Sequence, residues 1–204
     1  MIYNSLSFLR GVLNNFIALK DPLSTAGALT SPVVLSNIVD QENHIIHNGG
    51  DFIYMTLVNS EEETVGKSQL AYSVSPEDKL YVTNPDIKLN LYIQFAAFSD
   101  STASTLLPAY ERSLLLLDQV VFFFQFRNVF NKSQYPVLMN SGIEKLIIEP
   151  VSLTFEQLNH LWATQGAKYL PSVIYKCRTL TFRESVVSQE KQMIKEISTD
   201  NSMI

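Results

Sequence analysis

The 204-residue chain is 46% apolar and 11% aromatic, which excludes a disordered protein and leaves material for one self-sufficient core. Its 20 acidic and 15 basic residues give a net charge of −5, and the Lys and Arg are scattered, so the basic footprint of a nucleic-acid binder is missing. The single cysteine, Cys177, can form neither an internal disulfide nor a metal cage, so folding rests on packing.

Ile2, Leu6, Leu9, Leu13 and Phe16 are spaced by four and three, which predicts an amphipathic helix over residues 2–20. Asp21-Pro22 stops it, because proline lacks a donor and restricts the residue before it. The β-branched run at residues 33–39 and the segment 52–58 read as strands separated by the turn Asn48-Gly49-Gly50-Asp51. Residues 61–85 are polar and weakly periodic, a long loop of the kind that usually carries function. In residues 87–98 the alternation is clean: Leu89, Leu91, Ile93 and Phe95 on one side, Asn90, Tyr92, Gln94 and Ala96 on the other. The half-polar side suits cover by a neighbouring subunit.

The most apolar stretch, residues 106–126, is interrupted by Pro108, Glu111, Arg112, Asp118 and Gln119. It reads as a buried helix enclosed nearly all round, not as a membrane span, so no membrane insertion is expected. The start Met1-Ile2-Tyr3-Asn4-Ser5 lacks the basic region and apolar core of a secretory signal, so a protein made and kept in the cytoplasm, unless carried out by something larger, is expected. A strand follows at residues 144–151, with Pro150 marking an edge or an end. Thr154-Phe155-Glu156-Gln157 is a capping box opening a helix to Thr164, Gly166 suits its left-handed cap, and Pro171 leads into a strand over 173–182. Because strands cluster rather than alternate regularly with helices, the expected fold is α+β, a mixed and mostly antiparallel sheet of about five strands flanked by three helices. Residues 1–182 form the expected domain. Residues 183–204 mix Glu190, Lys191, Lys195 and Glu196 with Val186, Val187 and Ile194, and read as a solvated tail or a short amphipathic helix.

Catalytic parts are scarce. His44 and His47, with Asp40 and Glu42 near, suggest a zinc site and a metal-dependent hydrolase, but a catalytic zinc normally takes three protein ligands, and exposed loop histidines are the simpler reading. His160, beside Trp162, has no nucleophile in sequence. Cys177 alternates with Tyr175 and Thr179, which makes it a small buried hydrophobe, and Lys176 and Arg178 point to the opposite face. Glu61, Glu62 and Glu63 read as a solvated or partner-facing patch. Without a glycine-rich phosphate loop, a Gly-x-Ser-x-Gly elbow or a Cys-x-x-Cys pair, no catalytic set, metal or cofactor is assigned.

Several strings in order carry a resemblance. They are Met1-Ile2-Tyr3 with Leu6-Ser7-Phe8-Leu9-Arg10, Asn37-Ile38-Val39-Asp40-Gln41, Leu57-Val58-Asn59 before the three glutamates, and Leu89-Asn90-Leu91-Tyr92. Later come Ile143-Glu144-Lys145-Leu146, Glu149-Pro150-Val151, Leu158-Asn159-His160-Leu161-Trp162-Ala163 and Gly166-Ala167-Lys168-Tyr169-Leu170-Pro171-Ser172-Val173. Over about residues 1–182 the chain resembles the cap, or tail-terminator, proteins of phage-tail-like contractile injection systems of the antifeeding-prophage type. The resemblance implies a non-enzymatic subunit that forms a homohexameric ring, ends inner-tube growth and joins the last sheath layer. Its implied partners are itself, the inner tube protein and the sheath protein, with assembly in the bacterial cytoplasm and then a place in the particle, released or cell-anchored. A monomeric adaptor is the other reading. The candidate contact residues are Glu61, Glu62 and Glu63 in the polar loop and Trp162, Lys168, Tyr169 and Pro171 in the later turn, with core packing an equal reading for Trp162 and Tyr169.

Overall fold

A strand with apolar residues on one side and small or amide residues on the other can be buried on both faces, and residues 87–99 take that place in the middle of a six-stranded sheet. The computed structural model describes residues 2–20, 31–47, 49–63, 72–74, 79–82, 87–100, 107–182 and 189–192. In chain order the elements are α1 (Ile2–Lys20), β1 (Val33–Leu35), β2 (Asp51–Glu62), β3 (Tyr72–Val74), β4 (Lys79–Val82), β5 (Ile87–Ser99) and α2 (Ala109–Phe126). They continue with β6 (Val129–Asn131), a 3₁₀ turn (Pro136–Ser141), β7 (Lys145–Val151), α3 (Phe155–Gln165), β8 (Ser172–Phe182) and β9 (Gln189–Gln192). The sheet runs β1-β2-β5-β8-β7-β6, with β1 parallel to β2 and the other pairings antiparallel. This is the α+β class expected; the main sheet holds one strand more than expected, because β6 is too short to show a period.

Alternation divides the sheet into two unlike faces. Leu91, Ile93, Phe95 and Ala97 of β5 face a core shared with Leu9 and Leu13 of α1 and Leu116, Val120 and Phe124 of α2. Asn14, on the inward side of α1, adds a buried two-way clasp: its Nδ2 donates to the Val33 carbonyl at 3.1 Å, and the Val33 N–H donates to its Oδ1 at 2.8 Å. On the other face, Tyr54 and Ala96 pack with Ile38 and with Trp162 of α3. Part of the face expected to await a neighbouring subunit is therefore covered by the chain itself, because α3, which links β7 to β8, lays Trp162 against Tyr54 and Ala96.

Other expectations change. Glu61 and Glu62 lie on a strand, not in a loop: β2 continues past a bulge between Leu57 and Asn59 and stays paired with β5 as far as Leu89. The expected loop also contains β3 and β4, which join β9 in a separate three-stranded sheet, and the rest of residues 61–85 after 63 lies outside the described residues. Of the C-terminal tail, only Gln189–Gln192 is described, and it is extended. The run 33–39 ends as a strand at Leu35, with Val39 making an isolated bridge to Ile45. Pro150 falls near the end of β7, beyond its pairing with β6, where the missing N–H leaves no ladder bond unmade.

Candidate assembly surfaces

The antiparallel register of β2 and β5 sets Glu61 opposite Asn90 and builds a polar network around Glu61 and Glu63. The Tyr92 hydroxyl donates to Glu61 Oε2 at 3.0 Å, and Asn59 Nδ2 donates to Glu61 Oε1 at 3.0 Å. Asn90 Nδ2 donates to Glu63 Oε2 at 3.1 Å, and the Arg178 guanidinium lies 3.9 Å from Glu63 and 3.6 Å from Glu149. The hydrogen bond to Glu61, with slight burial and the charges of Glu61 and Glu63, holds the Tyr92 hydroxyl above the usual phenol range. Lys176 covers the ring of Tyr92, 5.9 Å from its centroid. Tyr92, Asn90 and Arg178 were not candidates from the sequence, since they come from strands far along the chain and only the register joins them. Exposed Glu61 and Glu62 leave this acidic patch accessible, whereas Glu63 is half-buried.

The second candidate group divides by burial. Trp162 is 6% exposed and is the only buried residue of α3, while Pro171 is buried and its carbonyl accepts from the Ala97 N–H at 2.9 Å. Lys168 and Tyr169 are exposed, and the Tyr169 ring meets the Trp162 ring edge-on at 5.5 Å. The helix that positions Trp162 begins as the sequence indicates: Thr154 and Gln157 exchange capping-box hydrogen bonds, and Gly166 ends the helix in the left-handed region at φ 66°.

A third surface was not foreseen. The buried side of α2 carries Arg112, Ser113, Leu116, Val120, Phe123 and Phe124, yet apolar residues also stand on its outward side, in two groups flanking Glu111, Asp118 and Gln125. Tyr110, Phe122 and Phe126 are 62%, 67% and 78% exposed, joined by Leu114 and Val121, so the helix is not enclosed all round as expected. Apolarity on most sides identified a helix needing cover, but only packing decides which side the chain covers itself. On the opposite face of the sheet, between α3 and strands β2 and β8, runs a groove of about 810 Å³ whose lining includes Leu57, Val58, Leu161 and Ile174.

The residues weighed for catalysis are not brought together. His44 is exposed, with Nδ1 3.7 Å from Glu42 and 4.0 Å from Asp40. Asp40 accepts from the backbone N–H of Glu42 and His44, and chiefly the latter bond holds its carboxyl below the usual range. The His47 ring instead lies tilted against Phe52 and Tyr54, with centroids at 5.0 and 5.7 Å. Among the described residues no group of three or more His, Cys, Asp or Glu is arranged to hold a metal ion. His160 is exposed 3.8 Å from Glu156, and Cys177 is buried, its thiol pushed up to about 12 by desolvation. No described helix is long and apolar enough to cross a membrane.

Comparisons with known proteins follow the same direction. The family described as the Pvc16 N-terminal domain matches residues 7–196, past residue 182, where the resemblance read from the sequence stops. A cryo-EM structure of the PVC sheath/tube terminator of an extracellular contractile injection system, in its extended state, is similar with a TM-score of 0.60. It shares 10% identity, and the alignment covers 100% of this chain and 64% of that one. The tube-terminating cap of the anti-feeding prophage is similar with a TM-score of 0.54 and 12% identity, covering 94% of this chain and 60% of that one. The chain thus spans less than two thirds of the length of the solved chains it matches. Comparison with curated proteins gives no match.

Proposed function

The chain belongs to the Pvc16 N-terminal domain family, and from that premise we propose that it is a non-enzymatic structural cap of a contractile injection system. In this reading six copies close into a ring on the distal end of the inner tube, stop its elongation and join the last sheath layer. The observation that carries the reading is the similarity of the whole chain to a sheath/tube terminator. The surfaces fit the role: an assembly subunit needs exposed apolar and aromatic area, and α2 displays Tyr110, Phe122 and Phe126 outward. The copies assemble in the bacterial cytoplasm and then remain part of the particle.

Within this reading the exposed acids Glu61 and Glu62, with Glu63 beside them, and the exposed pair Lys168 and Tyr169 are the contact residues for tube or sheath, with Trp162 and Pro171 supporting the turn from below. Electron microscopy of particles made without the protein tests the function: tubes of irregular, excessive length are expected, and tubes of normal length with intact ends would overturn it. Charge reversal of all three glutamates to Lys tests the patch. The variant should fold and yet fail to dock, and normal capping would remove these residues from the contact surface.

A further inference from the structure

We propose that β9 is exchanged between neighbouring copies, so that Gln189–Gln192 of one chain completes the three-stranded sheet of the next. The inference rests on the ring reading above and names a contact that closes it.

The small sheet prolongs the middle of the large one. β3 follows β2, β4 precedes β5 and β9 follows β8, and the order β3-β4-β9 repeats the order β2-β5-β8. Ile87, the first residue of β5, lies opposite Phe182, the last of β8, so the chain leaves the large sheet at two points side by side. Beyond them β4 and β9 pair again, with Val82 opposite Gln189 and Lys79 opposite Gln192. β3, β4 and β9 have their contacts mainly with one another, and among the described residues no helix packs closely on them. The extension is therefore held together by strand pairing.

β9 is suited to exchange. Glu190 and Lys191 are poor strand formers, whereas Tyr81 and Val82 of β4 are strong ones, so what holds β9 is the edge of β4 through backbone pairing. Any identical strand reproduces that pairing, and a second copy brings the strand whose register with β4 the single chain already displays. Six residues, 183–188, join β8 to β9 and reach about 20 Å when extended, so the strand can serve its own sheet or that of an adjacent copy. Exchange gives up no pairing, since each β4 loses one β9 and receives another in the same register. Passed in one direction, the contact runs head to tail and is complete only when the last copy gives its strand to the first.

The test uses the full chain with Tyr81→Cys and Glu190→Cys, positions that oppose each other in the β4–β9 register, where Cα atoms about 4.5–5.5 Å apart are within disulfide reach. The native Cys177 is buried and stays out of the reaction. Copies are assembled on tube ends, oxidised, denatured without reductant and weighed by mass spectrometry. Exchange links chain to chain, so a ladder of cross-linked species ending at six chains is expected, while the same variant oxidised as a monomer gives only the internal bond. Assembled rings that contain only internally bonded single chains would overturn the inference, as would cross-linking that stops at two chains. A second full-length variant, Glu190→Pro with Lys191→Pro, removes β9 from the ladder whichever of the two N–H groups faces β4, and its self-association on tube ends should fall about tenfold or more with the melting temperature kept. Rings formed by this variant at wild-type concentration count against exchange. Wild-type protein that stays monomeric even on tube ends would remove the ring reading itself, an outcome distinct from the others.

Discussion

Arg112 Nε donates to Asp51 Oδ2 at 2.7 Å with both side chains buried, tying the first turns of α2 to the first residue of β2 across 61 residues of sequence. The Ser99 hydroxyl donates to the other Asp51 oxygen at 2.6 Å, so the carboxylate is held from two elements. Removing one member of a buried pair leaves a desolvated charge behind, and Arg112→Met is expected to destabilise the protein by about 3–5 kcal/mol in urea unfolding. The double replacement Asp51→Leu, Arg112→Met should recover much of that loss. An equal loss in the double variant would show that the pair acts through something other than mutual compensation.

The helix α3 depends on its two ends, since only Trp162 is buried along its length. Thr154→Ala removes the acceptor for the Gln157 N–H and should cost about 1 kcal/mol. Gly166→Ala forces a side chain into the left-handed region, where the new Cβ would stand 3.0 Å from Asn43 Oδ1, and should cost about 1–2 kcal/mol. Faster amide exchange confined to α3 is the expected readout for both.

Trp162 and Tyr169 touch each other but answer to different tests. Trp162→Ala opens a hole against Tyr54 and Ala96 and should cost about 3–5 kcal/mol in a purified monomer. Tyr169→Ala removes an exposed ring and one edge-on contact, and its effect on folding should stay within about 1.5 kcal/mol. If Tyr169 contacts a partner, its variant loses capping while keeping its melting temperature.

Cys177 should stay unreactive to a thiol reagent at pH 8 until the whole domain unfolds, because burial holds the thiol protonated. The pH dependence has a definite sign. The thiol pKa is raised on folding from 9.0 to about 12, so its contribution to stability is complete below pH 9 and is lost as the pH rises towards 12. Cys177→Ser or Cys177→Ala should flatten that alkaline decline, as measured by melting temperature between pH 8 and 11.

What the sequence by itself determined was local: the α1 stripe, the β5 alternation and the Thr154–Gln157 cap with Gly166 at its far end. Each of these depends on residues within a few positions of one another, where periodicity and capping chemistry act directly. Tertiary structure alone decided that Glu61 belongs to a strand and meets Tyr92, that Arg112 is buried against Asp51, that Trp162 lies inside and Tyr169 outside, and that Phe122 and Phe126 face outward. Those outcomes turn on partners dozens of residues away. An apolar or charged side chain reports only that it needs cover or a counterpart, and packing the sheet between its helices determines which ones find it within the chain.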